Sequence, residues 1–173
     1  MNAILSDAFD IESINKGISA DVFEMISDSE ARIEREVEKA AEAILEKGEK
    51  LKIVLISGRS ASGKTTFTKK VCKKLCEKGR EAKHIALDDF FLGVDYLPLN
   101  VDGTYDMESI KGLDVALANE SFRLLLSEGK ADFPTFDFPN QRRGEKWNRI
   151  ETGKNGIIMI EGIHSLNPAL TEN

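Results

Sequence analysis

The sequence predicts an α/β fold built on a parallel sheet, and three stretches carry that prediction. Ile53-Val54-Leu55-Ile56 is an apolar, largely β-branched run with the length of a buried strand, and a helical pattern follows it closely. Lys83 to Leu87 is a second short apolar run after that helix, so strand, helix and strand form a βαβ unit with parallel strands. Ile157-Ile158-Met159-Ile160-Glu161 is a third apolar strand, and it ends in a carboxylate.

In chain order, residues 1–26 mix apolar and polar positions without clear periodicity, are interrupted by Gly17, and predict short helical turns. Ser27 to Lys47 predicts a helix. Ser27 and Glu30 form a capping box, Ile33, Val37, Ala40, Ala41, Ile44 and Leu45 recur at helical spacing, and Gly48 is placed to end it. Residues 1–49 are thus a helical lead-in to a main unit at 50–173.

Gly58-Arg-Ser-Ala-Ser-Gly63-Lys64-Thr65 matches the phosphate-binding loop pattern G-x-x-x-x-G-K-[ST] between a strand and a helix. Two glycines let the backbone turn tightly, so that successive N–H groups point into one anion-sized hollow at a helix N-terminus. Gly58, Ser60, Ala61, Ser62, Gly63, Lys64, Thr65 and Thr66 are the expected nucleotide-binding residues. Lys64 supplies a cation for the β/γ-phosphates, and the Thr65 hydroxyl is suited to ligating Mg²⁺. The fold class sharpens to a P-loop NTPase-type parallel sheet with flanking helices, preceded by an N-terminal helix.

Lys64 to Lys78 predicts a helix with Phe67, Val71 and Leu75 on one face, lysines on the other and Gly79 as its stop. Asp88-Asp89 falls at the carboxyl end of the second strand, the edge where α/β sheets place their ligands. Gly93 to Thr104 predicts a loop, Met107 to Gly129 a mostly helical segment, and Asp132 to Arg149, broken by Pro134 and Pro139, a hairpin or lid-like excursion. Phosphoryl transfer to a hydroxyl needs a proton acceptor near the loop, and Asp88, with Asp89 as second candidate, fits. Glu161, at the end of its strand, fits an acid that holds or organises Mg²⁺.

These residues together resemble the uridine kinase and phosphoribulokinase family. The resemblance rests on the phosphate loop, Leu87-Asp88-Asp89-Phe90-Phe91, Tyr105-Asp106, Pro134-Thr135-Phe136-Asp137-Phe138 and Ile160-Glu161-Gly162-Ile163, in order along the chain. It implies ATP and Mg²⁺ as cofactors and a small-molecule acceptor, nucleoside-like (uridine or cytidine) or, alternatively, sugar-like as in phosphoribulokinase. It implies that Asp88 is the catalytic aspartate, that Asp106 engages sugar hydroxyls, that Phe136 and Phe138 flank the base with Arg143 in the same segment, and that Glu161 is the acid associated with Mg²⁺. The family's base-reading histidine falls on Gln141, which also hydrogen-bonds but leaves pyrimidine preference open. The lead-in helix resembles the bacterial branch in which the kinase unit follows synthetase-like modules.

The family continues beyond Glu-Gly-Ile with further strands and an arginine-bearing lid, whereas this sequence stops at Asn173. Without those strands Ile53–Ile56 would be an exposed apolar edge, to be covered by a further segment or by a second copy. A non-catalytic ATP-binding module is therefore the rival reading. A GTP switch is disfavoured, because Asn15-Lys16 is not followed by the x-Asp of a guanine-reading motif.

The net charge of −6 gives no reason to expect a nucleic-acid or anionic-membrane partner. Cys72 and Cys76, the only cysteines, suit reduced thiols better than a disulfide, and with no secretory signature a cytoplasmic location is expected. His84 and His164 are expected to be structural.

Overall fold

The computed structural model describes residues 11–171, in two layers of helix around a small parallel sheet, with a separate hairpin at one end. The elements are α1 (Ile11–Glu46), β1 (Ile53–Ile56), α2 (Lys64–Glu77), β2 (Ala82–Ala86), α3 (Val115–Glu128), β3 (Lys130–Asp137), β4 (Arg142–Glu151), β5 (Ile157–Glu161) and α4 (Pro168–Thr171). The sheet order is β1-β5-β2, all parallel, so β5 lies between the two strands of the βαβ unit. β5 has neighbours on both edges and helices over both faces, and all five of its residues are buried. That is why it is a continuous apolar run and not an alternating one.

The lead-in differs from expectation. Helix runs from Ile11, through Gly17, and is broken only at Asp21, whose φ of −157° and ψ of 104° are extended. The Asp21 carboxylate accepts from the N–H groups of Phe23 and Glu24, so Asp21 caps the longer helix and Ser27 lies inside it. The short turns expected over residues 1–26 are thus corrected for 11–26, and residues 1–10 lie outside the described part. Ile33 is 43% exposed rather than buried. Val37, Ala41 and Ile44 do pack, in one cluster with Val71, Leu75, Ile157 and Met159, so the core runs across residues 49–50.

The lysine face of α2 is not a bare solvated surface. Lys70 pairs with Glu34, Lys74 with Glu38 at 3.1 Å, and Lys78 with Glu38 at 2.5 Å and Glu42 at 3.9 Å, a ladder of ions joining α1 to α2. Exposed pairs of this kind contribute little to stability; the apolar cluster does more to seat α1.

The segment from Met107 is helical only from Val115. Before it come a 3₁₀ turn at Ile110–Gly112 and Asp114, whose side chain accepts from Leu117 N–H and caps α3. Gly129 closes α3 at φ 74°. The Pro-broken stretch is an antiparallel hairpin, longer than expected, with a register shift between Pro134 and Phe136. Among the described residues no helix is long and apolar enough to cross a membrane.

Among the described residues β5 is the only strand that pairs with β1, and no strand pairs with its other edge. Beside that edge Ile53, Leu55, Phe122, Leu126 and Leu170 line a mainly apolar groove of about 730 Å³. This groove holds none of the chemistry expected at the phosphate loop. An apolar, unpaired edge next to an apolar groove favours association. The 173-residue chain is expected to self-associate with rising concentration and Ile53→Lys to suppress this, as measured by light scattering after size exclusion; equal association by both proteins would exclude β1 as the contact.

Candidate active site

β1 runs into the phosphate loop, and α2 starts where the loop ends. Ser62 N–H donates to Arg59 O at 3.2 Å, and Phe67 N–H to Gly63 O at 2.9 Å, closing the first turn of α2. Gly63 has φ 84° and Ala61 φ 57°, so two residues hold left-handed backbone and only one is the glycine such a conformation favours. Gly58, unlike Gly63, does not take a positive φ. A Cβ there would lie 3.0 Å from Ser62 Oγ and 3.3 Å from Lys64 Cγ. Lys64 Nζ reaches back to donate to Arg59 O at 2.7 Å, which sets its ammonium across the loop. Thr66 lies exposed in the first turn of α2.

Glu161, 4% exposed, ends β5 beside this loop. Its Oε1 accepts from Thr65 Oγ1 at 2.6 Å, and His84 Nε2 lies 3.3 Å from the same oxygen. Gly162 follows because Leu87 packs against its Cα; a Cβ would meet Leu87 Cβ at 2.8 Å. Among the described residues no cluster of three or more His, Cys, Asp or Glu could hold a metal. A hydroxyl and one carboxylate at hydrogen-bond distance are instead the donor set of an Mg²⁺ that takes its remaining ligands from phosphate oxygens and water. The residues present fit that ion.

The 3₁₀ turn Leu87–Phe90 distributes consecutive side chains to different places. Leu87 and Phe90 enter the core, where Phe90 meets Phe122 and Phe133 edge-on. Asp89 accepts from Phe136 N–H at 3.3 Å and so ties the hairpin to the end of β2. Asp88 is left facing a cavity. Burial first, and then the Glu161 charge, push its carboxyl above the ordinary aspartate range, with Lys64 pulling the other way. Asp89 is also raised by burial, against its bond from Phe136 N–H.

That cavity, about 360 Å³, brings together Ser60, Lys64, Asp88, Phe136, Phe138 and Gln141. Phe91 meets Phe136 edge-on at 6.2 Å between centroids, and Phe136 meets Phe138 at 5.1 Å. Gln141 holds φ 49° at the hairpin tip. Not every expected residue converges here. Arg143 donates to Asp114 Oδ2 at 2.9 Å and to Phe90 O at 3.4 Å, and it does not line the cavity. Asp106 also lies outside the lining, its carboxylate accepting from Glu108 N–H at 3.1 Å. Leu97, Met107 and Glu108, which sequence reasoning passed over, line it instead. The available signals were the position of Met107-Glu108 directly after Asp106 and of Phe91 after Asp88-Asp89-Phe90. His164 buries its Nε2 without a hydrogen-bond partner among the described residues.

Residues 53–169 match the family model described as the Phosphoribulokinase / Uridine kinase family. A uridine kinase from Macrococcus caseolyticus is 29% identical over 117 residues, covering 68% of this chain and 55% of the relative. A uridine kinase from Leuconostoc citreum is 24% identical over 115 residues, covering 66% and 54%. The chain spans about half the length of the curated relatives it matches. Of solved structures, a D-glycerate 3-kinase from Cryptococcus neoformans superposes with a TM-score of 0.56 at 17% identity, covering 74% of this chain and 52% of that one. A structure described as that of a possible uridine kinase from Bacillus stearothermophilus gives a TM-score of 0.52 at 22% identity, covering 65% and 60%. At these identities the two structures share the fold.

Proposed function

The chain belongs to the Phosphoribulokinase / Uridine kinase family, and we propose that it carries the phosphate and acceptor sites of an ATP-dependent kinase acting on a hydroxyl of a nucleoside-like small molecule. The observation that carries this is a single cavity lined by both Lys64 and Asp88, with Phe136 and Phe138 on its wall. Lys64 and the loop N–H groups hold the β/γ-phosphates at the α2 N-terminus. Thr65 and Glu161 would hold Mg²⁺, which would neutralise charge on the phosphate oxygens. Asp88 accepts the proton of the acceptor hydroxyl as that oxygen takes the phosphoryl group and ADP leaves. Phe136, Phe138 and Gln141 hold the acceptor's ring, and Asp106, which precedes the Met107-Glu108 wall in sequence, engages its sugar hydroxyls. Arg143 serves the site from behind, by fixing Asp114 at the start of α3.

The cavity wall favours an uncharged acceptor over a phosphorylated one. Lys64 is the only cationic side chain among its lining residues, whereas Asp88 and Glu108 are both acidic. An acceptor bearing its own phosphate would meet like charge with no guanidinium to offset it. The test is transfer from γ-labelled ATP to uridine, cytidine, ribulose 5-phosphate and pantothenate. Uridine or cytidine is expected to be labelled and ribulose 5-phosphate is not. Preferential labelling of ribulose 5-phosphate would overturn the acceptor assignment, and labelling of none by the full-length protein would overturn the enzymatic one.

A further inference from the structure

Glu161 is almost wholly buried, and a buried polar group is costly unless hydrogen bonds satisfy it. Both of its side-chain partners, Thr65 and His84, converge on Oε1, and no hydrogen bond from the described residues reaches Oε2. The sheet register explains how β2 reaches it. Ala86 pairs with Glu161 and His84 with Met159, so His84 and Glu161 are diagonal neighbours on one face. A methyl group at Ala86 leaves the imidazole room to lean across. His84 lines a cavity of about 110 Å³ together with Asp89 and Asn148, and its side chain is 18% exposed, so it is not sealed in hydrocarbon.

We propose that His84 is a positioning residue for the metal-binding carboxylate: Nε2–H, donating to Oε1, holds Glu161 in one orientation and leaves Oε2 to a metal or its bound water. This rests on the reading of Thr65 and Glu161 as the Mg²⁺ site. The two donors differ in what carries them. Thr65 belongs to the first turn after a loop that must wrap around phosphates, whereas His84 stands on a strand. His84 therefore keeps the carboxylate oriented whatever the loop does. The donor must be the Nε2–H tautomer, and the group replacing it must be able to donate at the same reach.

The experiment titrates Mg²⁺ into the full chain with a fluorescent ATP analogue, alongside the same binding in EDTA. His84→Ala is expected to raise the Mg²⁺ concentration for half-maximal binding by about 10-fold to 100-fold, with binding in EDTA unchanged. His84→Gln, whose amide donates at a similar reach, should restore the Mg²⁺ dependence, and the shorter His84→Asn should not. Equal Mg²⁺ dependence in His84→Ala and the parent overturns the proposal, as does a matching loss in EDTA, which marks a merely structural residue. If the alanine variant does not fold, the comparison of Gln with Asn decides, and indistinguishable behaviour overturns the role. Absence of Mg²⁺-dependent binding in the parent protein overturns the metal site itself; normal binding in the parent and every variant overturns only His84.

Discussion

Asp88→Asn is expected to lower turnover by about 10²–10⁴-fold while leaving nucleotide affinity unchanged, because the amide keeps the shape but cannot accept the hydroxyl proton. Steady-state transfer and equilibrium nucleotide binding measure the two parts separately. The same carboxyl gives the reaction its acid limb. Burial and the Glu161 charge raise its pKa, so activity should fall on acidification at a pH above the ordinary aspartate range. Stability should move the opposite way. A carboxyl with a higher pKa folded than unfolded contributes most when protonated. That contribution is present below the unfolded pKa and is lost as pH rises through the folded one. Once ionised, Asp88 therefore opposes folding, and Asp88→Asn should raise the melting temperature of the nucleotide-free protein at pH values above its raised pKa, the gain shrinking in acid. A slower but less stable variant, or one with full turnover, would remove Asp88 from the role of base.

What could be read from the residues divides by how far apart the interacting groups lie. The phosphate loop was legible because its backbone shape, helix start and charge are all set within Gly58–Thr65. Glu161 was legible because four apolar residues ahead of it make a strand whose end points to the ligand edge. The break in α1 was also local, and missed only because Asp21-x-x-Glu24 and Ser27-x-x-Glu30 present the same capping signature. The backbone used the first, with Asp21 accepting two N–H groups, and Ser27 became interior. Other features depend on pairs far apart in sequence. Arg143 appeared free for a ligand until α3 brought Asp114 to it. Lys70, Lys74 and Lys78 looked like a solvated face until α1 lay alongside with Glu34, Glu38 and Glu42. Asp88 and Asp89 are adjacent in sequence, and only the turn at Leu87–Phe90 gives one to the cavity and the other to Phe136.

Lys64→Met carries the other large expected effect. The methionine keeps most of the side chain's length beside Gly58, so the loop should fold, but the charge between Arg59 O and the cavity is gone. Turnover should fall by about 10²–10³-fold, the scale of losing one preorganised electrostatic group at a reacting centre. Nucleotide affinity should fall with it, since the ammonium binds phosphate in the ground state too. A second consequence separates this from a simple loop defect. Lys64 is the main charge that lowers the Asp88 pKa, so its removal should move the acid limb of any remaining activity to still higher pH. Lys64→Arg keeps the charge with a planar head and should leave that limb near its original position even if the rate drops. Because Lys64 and Asp88 act on one transfer, the double variant Lys64→Met/Asp88→Asn should be little worse than the poorer single variant. Losses that multiplied in full would place the two residues in independent steps, and an unmoved acid limb in Lys64→Met would mean that the ammonium does not act on Asp88 at all.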